Sequence, residues 1–155
     1  MIERFYSAKV LVIGDVMLDK YLYGQVERIS PEAPVPVVLV SKESYVPGGA
    51  GNVANNIVSL KANCMLIGLV GDDDNGGLLK KLLSYKGIEY DLLEWDMPTI
   101  TKTRVVSGNQ QLIRLDFEKT SEICENLKEK LKERIAKWIL TSNIVVISDY
   151  GKNIC

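Results

Sequence analysis

Three short apolar runs do most to fix what this chain can fold into. Residues 8–13 (Ala8-Lys9-Val10-Leu11-Val12-Ile13) lead into Gly14-Asp15, residues 65–70 into Gly71-Asp72, and residues 143–148 into Asp149. Apolar runs of this length, without strict polar alternation, are how strands buried on both faces of a parallel sheet look. Helical patterns lie between them. Val53, Ile57 and Leu60 share one face over residues 53–60, and residues 78–85 form a second helix stopped at Gly87. Residues 121–140 carry an apolar stripe of Ile123, Leu127, Leu131, Ile135 and Trp138 opposite Glu and Lys. This alternation predicts an α/β fold with a doubly wound, mostly parallel sheet.

The remaining segments are of other kinds. Residues 21–40 alternate aromatic or aliphatic with polar side chains and hold Pro31, Pro34 and Pro36, which suits exposed edge strands and turns. They read as a small β-flap or lid spanning about residues 17–40. Gly48-Gly49-Ala50-Gly51-Asn52 reads as a glycine-rich loop opening a helix, and residues 71–77 as a turn with an acidic helix start. Residues 101–106 and 112–117 read as a hairpin around Ser107-Gly108-Asn109-Gln110, with a turn longer than the tightest type. No repeat or linker divides residues 1–155, which are read as one unit able to bury well over half of its unfolded surface.

Composition narrows the function classes. With 46% hydrophobic and 25% charged residues and a net charge of -1, the chain has no electrostatic footprint for nucleic acid or an anionic membrane. No run approaches the roughly 20 apolar residues of a spanning helix, and Met1-Ile2-Glu3-Arg4-Phe5 has no leader-like stretch, so a cytoplasmic location is expected. Cys64, Cys124 and Cys155 are odd in number and far apart, suggesting neither a disulfide framework nor a metal site. The chain has no histidine, which excludes Ser-His-Asp and Cys-His chemistry within it.

The polar groups at the strand ends are the candidates for binding. Open α/β sheets bind ligands outside the carboxyl ends of their strands. Here those ends carry Asp15 with Asp19, Asp72 to Asp74, and Asp149 with Lys152. A carboxylate there can accept hydrogen bonds from vicinal sugar hydroxyls; equally, Asp commonly caps turns and helix starts. The glycines at positions 48, 49 and 51 let either a ligand or a packed strand approach the backbone, and Asn52 adds a donor and an acceptor.

With those residues in view, a family resemblance emerges. Gly48-Gly49-Ala50-Gly51-Asn52-Val53-Ala54 with Gly71 resembles the first signature of the ribokinase-like (PfkB) carbohydrate kinases, and Gly14-Asp15-Val16-Met17-Leu18-Asp19 resembles their opening strand-end motif. Ser30-Pro31-Glu32-Ala33-Pro34-Val35-Pro36, Thr99-Ile100-Thr101-Lys102-Thr103-Arg104, Asn109-Gln110-Gln111-Leu112-Ile113-Arg114-Leu115-Asp116 and Ser148-Asp149-Tyr150-Gly151-Lys152 are similar to the heptose 7-phosphate kinase branch, whose kinase is often fused to an adenylyltransferase. The resemblance covers essentially the whole chain, but only about the first half of a family kinase domain.

It implies an incomplete, first-half ribokinase-like sheet with a β-flap that lies over the sugar and often mediates dimer contacts. It also implies sugar contacts from Asp19, Gly48, Gly49 and Asn52, and a further one from Asp15. Lys102, Arg104, Arg114 and Lys152 become candidates for the substrate's phosphate beside Asp149, with ordinary surface roles as the alternative. The implied reaction moves the ATP γ-phosphoryl to the anomeric hydroxyl of a heptose 7-phosphate, with ATP and Mg²⁺ serving the complete enzyme and neither expected to bind this chain tightly. Two departures stand out. Lys61 replaces the usual glycine at the end of the signature helix, and the second signature, a Gly-Ala-Gly-Asp loop supplying the anion hole and the base, is absent. No catalytic residue is therefore assigned, and the chain is expected to be inactive alone.

Three readings follow: a kinase fragment, a subunit completed by a separate carboxyl-terminal half, or a non-catalytic sugar-phosphate-binding module. A ribose-like or fructose-like acceptor stays open. An uncovered apolar last strand predicts a homodimer or other self-association through that edge or through the flap.

Overall fold

The computed structural model describes residues 6–119, 121–152 and 154. Met1 to Phe5 and Cys155, on which the readings of the leader and the third thiol rest, lie outside the described residues. Eleven elements follow one another: β1 Lys9–Gly14, β2 Val16–Ile29, β3 Pro36–Gly49, α1 Ala50–Ser59, β4 Asn63–Gly71, α2 Asp74–Tyr85, β5 Glu89–Trp95, β6 Thr101–Ser107, β7 Gln110–Phe117, α3 Glu125–Ile139 and β8 Ile144–Ser148. They form two four-stranded sheets, one ordered β5-β4-β1-β8 and the other β3-β2-β6-β7.

The first sheet is parallel throughout. Successive side chains of β1 point to opposite faces. Val10 and Val12 pack with Leu66, Val70, Leu79, Leu83 and Ala54 under α1 and α2, whereas Leu11 and Ile13 pack with Ile67 and Leu131 under α3. Covering both faces with helices is the doubly wound arrangement expected from the apolar runs. It explains why β1 needs no polar alternation.

The second sheet is mixed. β2 pairs antiparallel with β3 and parallel with β6, and β6 pairs antiparallel with β7. β2 therefore lies inside this sheet, which corrects the expectation of edge strands over residues 21–40: only β3 is an edge there. The β2–β3 ribbon runs on to Gly49, and β3 as an edge strand tolerates Pro47, which has no N–H to donate. The strand passes directly into α1 at Ala50, with no loop between them.

Other boundaries shift for physical reasons. The turn between β6 and β7 has two residues, Gly108 and Asn109, and pairs Ser107 with Gln110; Gly108 at φ 57° supplies the left-handed backbone that a tight hairpin requires. α2 begins four residues before Leu78, because the Asp73 carboxylate caps it by accepting from the Gly76 amide at 2.7 Å. α3 begins at Glu125, after an extended Cys124, although Ile123 is buried ahead of it. Leu60 is exposed, and Ala50, Gly51 and Ala54 are the buried residues of α1. β5, which the apolar pattern does not reveal, is a half-buried edge strand with Glu89, Asp91 and Glu94 among its residues. Lys61, in the place usually held by glycine, has φ 64° and is the one non-glycine at positive φ among the described residues.

Candidate acceptor site

The end of β1, the outer face of the second sheet and the start of α1 meet where the candidate residues cluster. In the second sheet, Asp19 of β2 lies opposite Lys102 of β6, which lies opposite Asp116 of β7. One step along, Tyr21 lies opposite Arg104, and Arg104 opposite Arg114. Side chains two residues apart share a face, so these two rows lie side by side. The opposite face carries buried Leu18, Thr101, Thr103 and Val105.

Asp19 is held and framed. Arg104 donates from Nη1 to its Oδ1 at 2.5 Å and also lies 5.4 Å from the centre of the Tyr21 ring. Although desolvation acts against the guanidinium's charge, the hydrogen bond to Asp19 raises its pKa above the usual arginine range. The other oxygen, Oδ2, occupies the space where a side chain on Gly48 would stand, 2.6 Å from an ideal Cβ. Gly48 is thus required by Asp19. Gly49 has φ 55°, and a Cβ there would meet the Asp15 carbonyl at 2.3 Å. Asn52, exposed in the first turn of α1, makes no side-chain hydrogen bond among the described residues.

Asp15 has a different place. It is completely buried, its Oδ2 accepts from the amides of Tyr150 and Lys152 at 2.7 and 3.1 Å, and its Oδ1 is buried without a hydrogen-bond partner among the described residues. Asp149 folds over its own loop, accepting from the Gly151 amide at 2.7 Å.

The four candidate phosphate-binding cations lie close together, each with a carboxylate. Arg104 is paired with Asp19. Lys152 Nζ donates to Glu118 at 2.9 Å, Lys102 Nζ to Asp116 at 3.0 Å while lying 3.7 Å from Glu118, and Arg114 Nε to Asp116 at 2.8 Å. The result is a continuous line Lys152–Glu118–Lys102–Asp116–Arg114 across the sheet. The bond from Lys102, joined by that from Arg114, holds the Asp116 carboxyl below its ordinary range, and Lys152 does the same for Glu118. Sequence reasoning gave no role to Asp116, Glu118 or Tyr21; alternation along the strands could have placed them only with the register known.

Of the strand-end acids at positions 72–74, Asp73 forms a second polar cluster and caps α2. Asp73 accepts from the Thr99 amide and hydroxyl at 2.8 and 2.7 Å, and Thr99 Oγ1 accepts from the Gly71 amide at 3.0 Å. Burial opposes ionisation of Asp73, but the hydrogen bonds from Thr99 and Gly76 leave its carboxyl below the ordinary range. This latch joins the end of β4 to the segment entering β6. It fixes one sheet against the other.

The glycines bear on whether nucleotide phosphates fit. Their open faces are filled by the Asp19 carboxylate, Met17 and the Asp15 carbonyl, so the backbone here meets oxygens that would repel a triphosphate. Among the described residues no group of three or more His, Cys, Asp or Glu is placed to hold a metal ion. The cluster offers acceptors that suit a hydroxylated ligand.

Comparison with known proteins agrees with this architecture. The profile of the pfkB family carbohydrate kinases matches residues 7–150. The bifunctional protein HldE of Gluconobacter oxydans is 48% identical over 157 residues, covering 99% of this chain and 33% of its own length. HldE of Escherichia coli O1:K1 / APEC is 50% identical over 152 residues, covering 97% and 31%. Among solved structures, a putative phosphofructokinase from Staphylococcus aureus superposes with TM-score 0.70 at 16% identity, over 95% of this chain and 45% of that one. Phosphofructokinase-2 of Escherichia coli, in its tetrameric inhibited form, gives TM-score 0.69 at 22% identity over 92% and 45%. The chain thus spans about a third of these curated relatives and under half of the solved kinases. With the profile covering nearly all of it, this chain belongs to the pfkB family of carbohydrate kinases.

Proposed function

We propose that this chain forms the acceptor-binding side of an ATP-dependent sugar kinase that phosphorylates a heptose 7-phosphate at its anomeric hydroxyl, a cytoplasmic step toward ADP-heptose and lipopolysaccharide. The observation that carries the proposal is the Asp19 carboxylate, oriented by Arg104 through one oxygen and seated through the other above the bare backbone of Gly48. Such an oxygen accepts from sugar hydroxyls and fixes the ring, with Asn52 at the head of α1 available for a further hydroxyl. The high identity to HldE supports the heptose assignment. Holding the acceptor in one orientation is this chain's contribution to the rate.

The nucleotide side, with the base that deprotonates the acceptor, is assigned to the part of the relatives that these residues do not span, so the chain alone is inactive. ATP-dependent turnover by the pure 155-residue protein would refute that. One observation favours a second reading, an unphosphorylated sugar such as fructose or ribose: Lys102, Arg104, Arg114 and Lys152 are each already engaged in an ion pair, the four sharing the carboxylates of Asp19, Asp116 and Glu118. Calorimetry with heptose 7-phosphate, fructose and ribose separates the two. Losing a charge-assisted hydrogen bond is worth about 1.5–3 kcal/mol, so Asp19→Asn is expected to weaken the bound sugar by roughly 10- to 100-fold. Unchanged affinity in that variant removes Asp19 from the site.

A further inference from the structure

Asp15 is the residue whose surroundings are least like those of a ligand-binding group. Its backbone amide donates to the Ser148 carbonyl at 3.1 Å, its carbonyl accepts from the Ala50 amide at 2.9 Å, and its Oδ2 accepts from Tyr150 and Lys152. One residue therefore ties together the end of β1, the head of α1 and the loop after β8. The surrounding glycines are shaped to this meeting. A Cβ on Gly14 would stand 2.1 Å from the Ser148 carbonyl oxygen, and one on Gly49 would stand 2.3 Å from that of Asp15. The tie continues outward, because Lys152 reaches Glu118, which neighbours Lys102, the residue opposite Asp19 in the sheet. The carboxylate itself presents no accessible oxygen: the residue is fully buried and Oδ1 is covered.

We propose that Asp15 is a positioning residue: its buried carboxylate sets residues 149–152, and through Lys152 the line of charges on the second sheet, as one wall of the acceptor site, without touching the sugar. The inference rests on the acceptor-site reading for its functional consequence, but its geometric content stands apart from it. A single oxygen receives both amides, so an Asn carbonyl at position 15 can receive them too, whereas Ala leaves both without an acceptor. The carboxylate's charge is dispensable and its acceptor is not.

Hydrogen exchange of the purified chain tests this amide by amide, followed by titration with heptose 7-phosphate. In Asp15→Ala, protection at Tyr150 and Lys152 is expected to fall at least tenfold while that of Val12 in β1 is unchanged; in Asp15→Asn both stay protected. Lys152→Met keeps the two amides protected and breaks only the tie to Glu118. Where the sugar phosphate binds, Ala and Met weaken it and Asn restores it. Wild-type protection at positions 150 and 152 in Asp15→Ala overturns the proposal. So does loss of sugar binding in Asp15→Asn with the loop still protected, since Asp15 would then contact the ligand. If Asp15→Ala does not fold, Asp15→Asn and Lys152→Met decide by the same criteria, with exposed amides in Asp15→Asn counting against it. Failure of the wild-type chain to bind any sugar, with the exchange pattern as expected, overturns the acceptor reading and leaves the positioning role intact.

Discussion

β1 and β8 are neighbours in one parallel sheet and nearly the same in composition, Val-Leu-Val-Ile-Gly against Ile-Val-Val-Ile-Ser, yet their burial is opposite. Val10 to Ile13 are all buried, while Ile144, Val145 and Ile147 are 49%, 40% and 67% exposed. An apolar run reports the environment a strand is suited to. In β1 that environment is supplied by α1, α2, α3 and two flanking strands; in β8, beyond the pairing with β1, only Val146 packs against the core and only Ser148 is buried. β7 repeats the lesson within one strand. Arg114 and Asp116 on one face are held in ion pairs, whereas Ile113, Leu115 and Phe117 on the other are exposed.

The largest effect should come from truncating a buried residue of β1 and an exposed one of β8. Leu11→Ala is expected to cost about 2–5 kcal/mol in chemical denaturation, the usual range for a buried leucine, whereas Ile147→Ala should cost little. Equal losses would mean that β8 is covered in solution, by a second copy or otherwise. Ile147→Lys sharpens the contrast: a charge on an exposed apolar edge should shift self-associated protein toward monomer in light scattering, with no loss of stability. A monodisperse wild-type monomer would break the expected association.

A smaller effect lies at Lys61. Its left-handed backbone at φ 64° costs an L-residue on the order of 1 kcal/mol, so Lys61→Gly should stabilise the chain by up to about that amount at the denaturation midpoint. A destabilised variant would show that the lysine side chain earns its place by other contacts.

The smallest effect concerns the charge line on the second sheet. The Asp116 and Glu118 carboxyls titrate below their unfolded values, so their contribution to stability is present above the ordinary carboxylate range and is lost as pH falls through the lowered folded values. Denaturation midpoints should therefore fall between about pH 5 and pH 3, and less so in an Asp116→Asn, Glu118→Gln double variant. A slope unaffected by the double variant would assign the acid sensitivity elsewhere, Asp73 being the next candidate.

The same contrast explains what the sequence makes legible. Strands with an apolar run suited to burial announce themselves, so β1, β4, β8 and the parallel sheet follow from those runs and the helical patterns between them. β5 does not, because an edge strand carrying Glu89, Asp91 and Glu94 lacks the apolar run; Asp91 is taken up by Arg134 and the Trp138 indole only after α3 packs. The site was legible as residue types and not as partnerships. Asp19, Gly48 and Gly49 could be picked out by motif, but the pairing of Lys102 with Asp116 depends on register, which the two-residue turn at Gly108-Asn109 and the register shift between Val105 and Val106 set together. Nor does a chain position report burial: Asp15 and Asp19 lie four residues apart, and one faces inward to backbone amides while the other faces the outer side of the sheet.

The central claim, that these residues form an acceptor site and not a nucleotide site, is tested most directly by calorimetric titration of the purified chain with heptose 7-phosphate and, separately, with ATP·Mg²⁺. The account predicts saturable binding of the sugar phosphate, weakened by Asp19→Asn, and no heat from the nucleotide. Binding of ATP·Mg²⁺ without the sugar phosphate would contradict it.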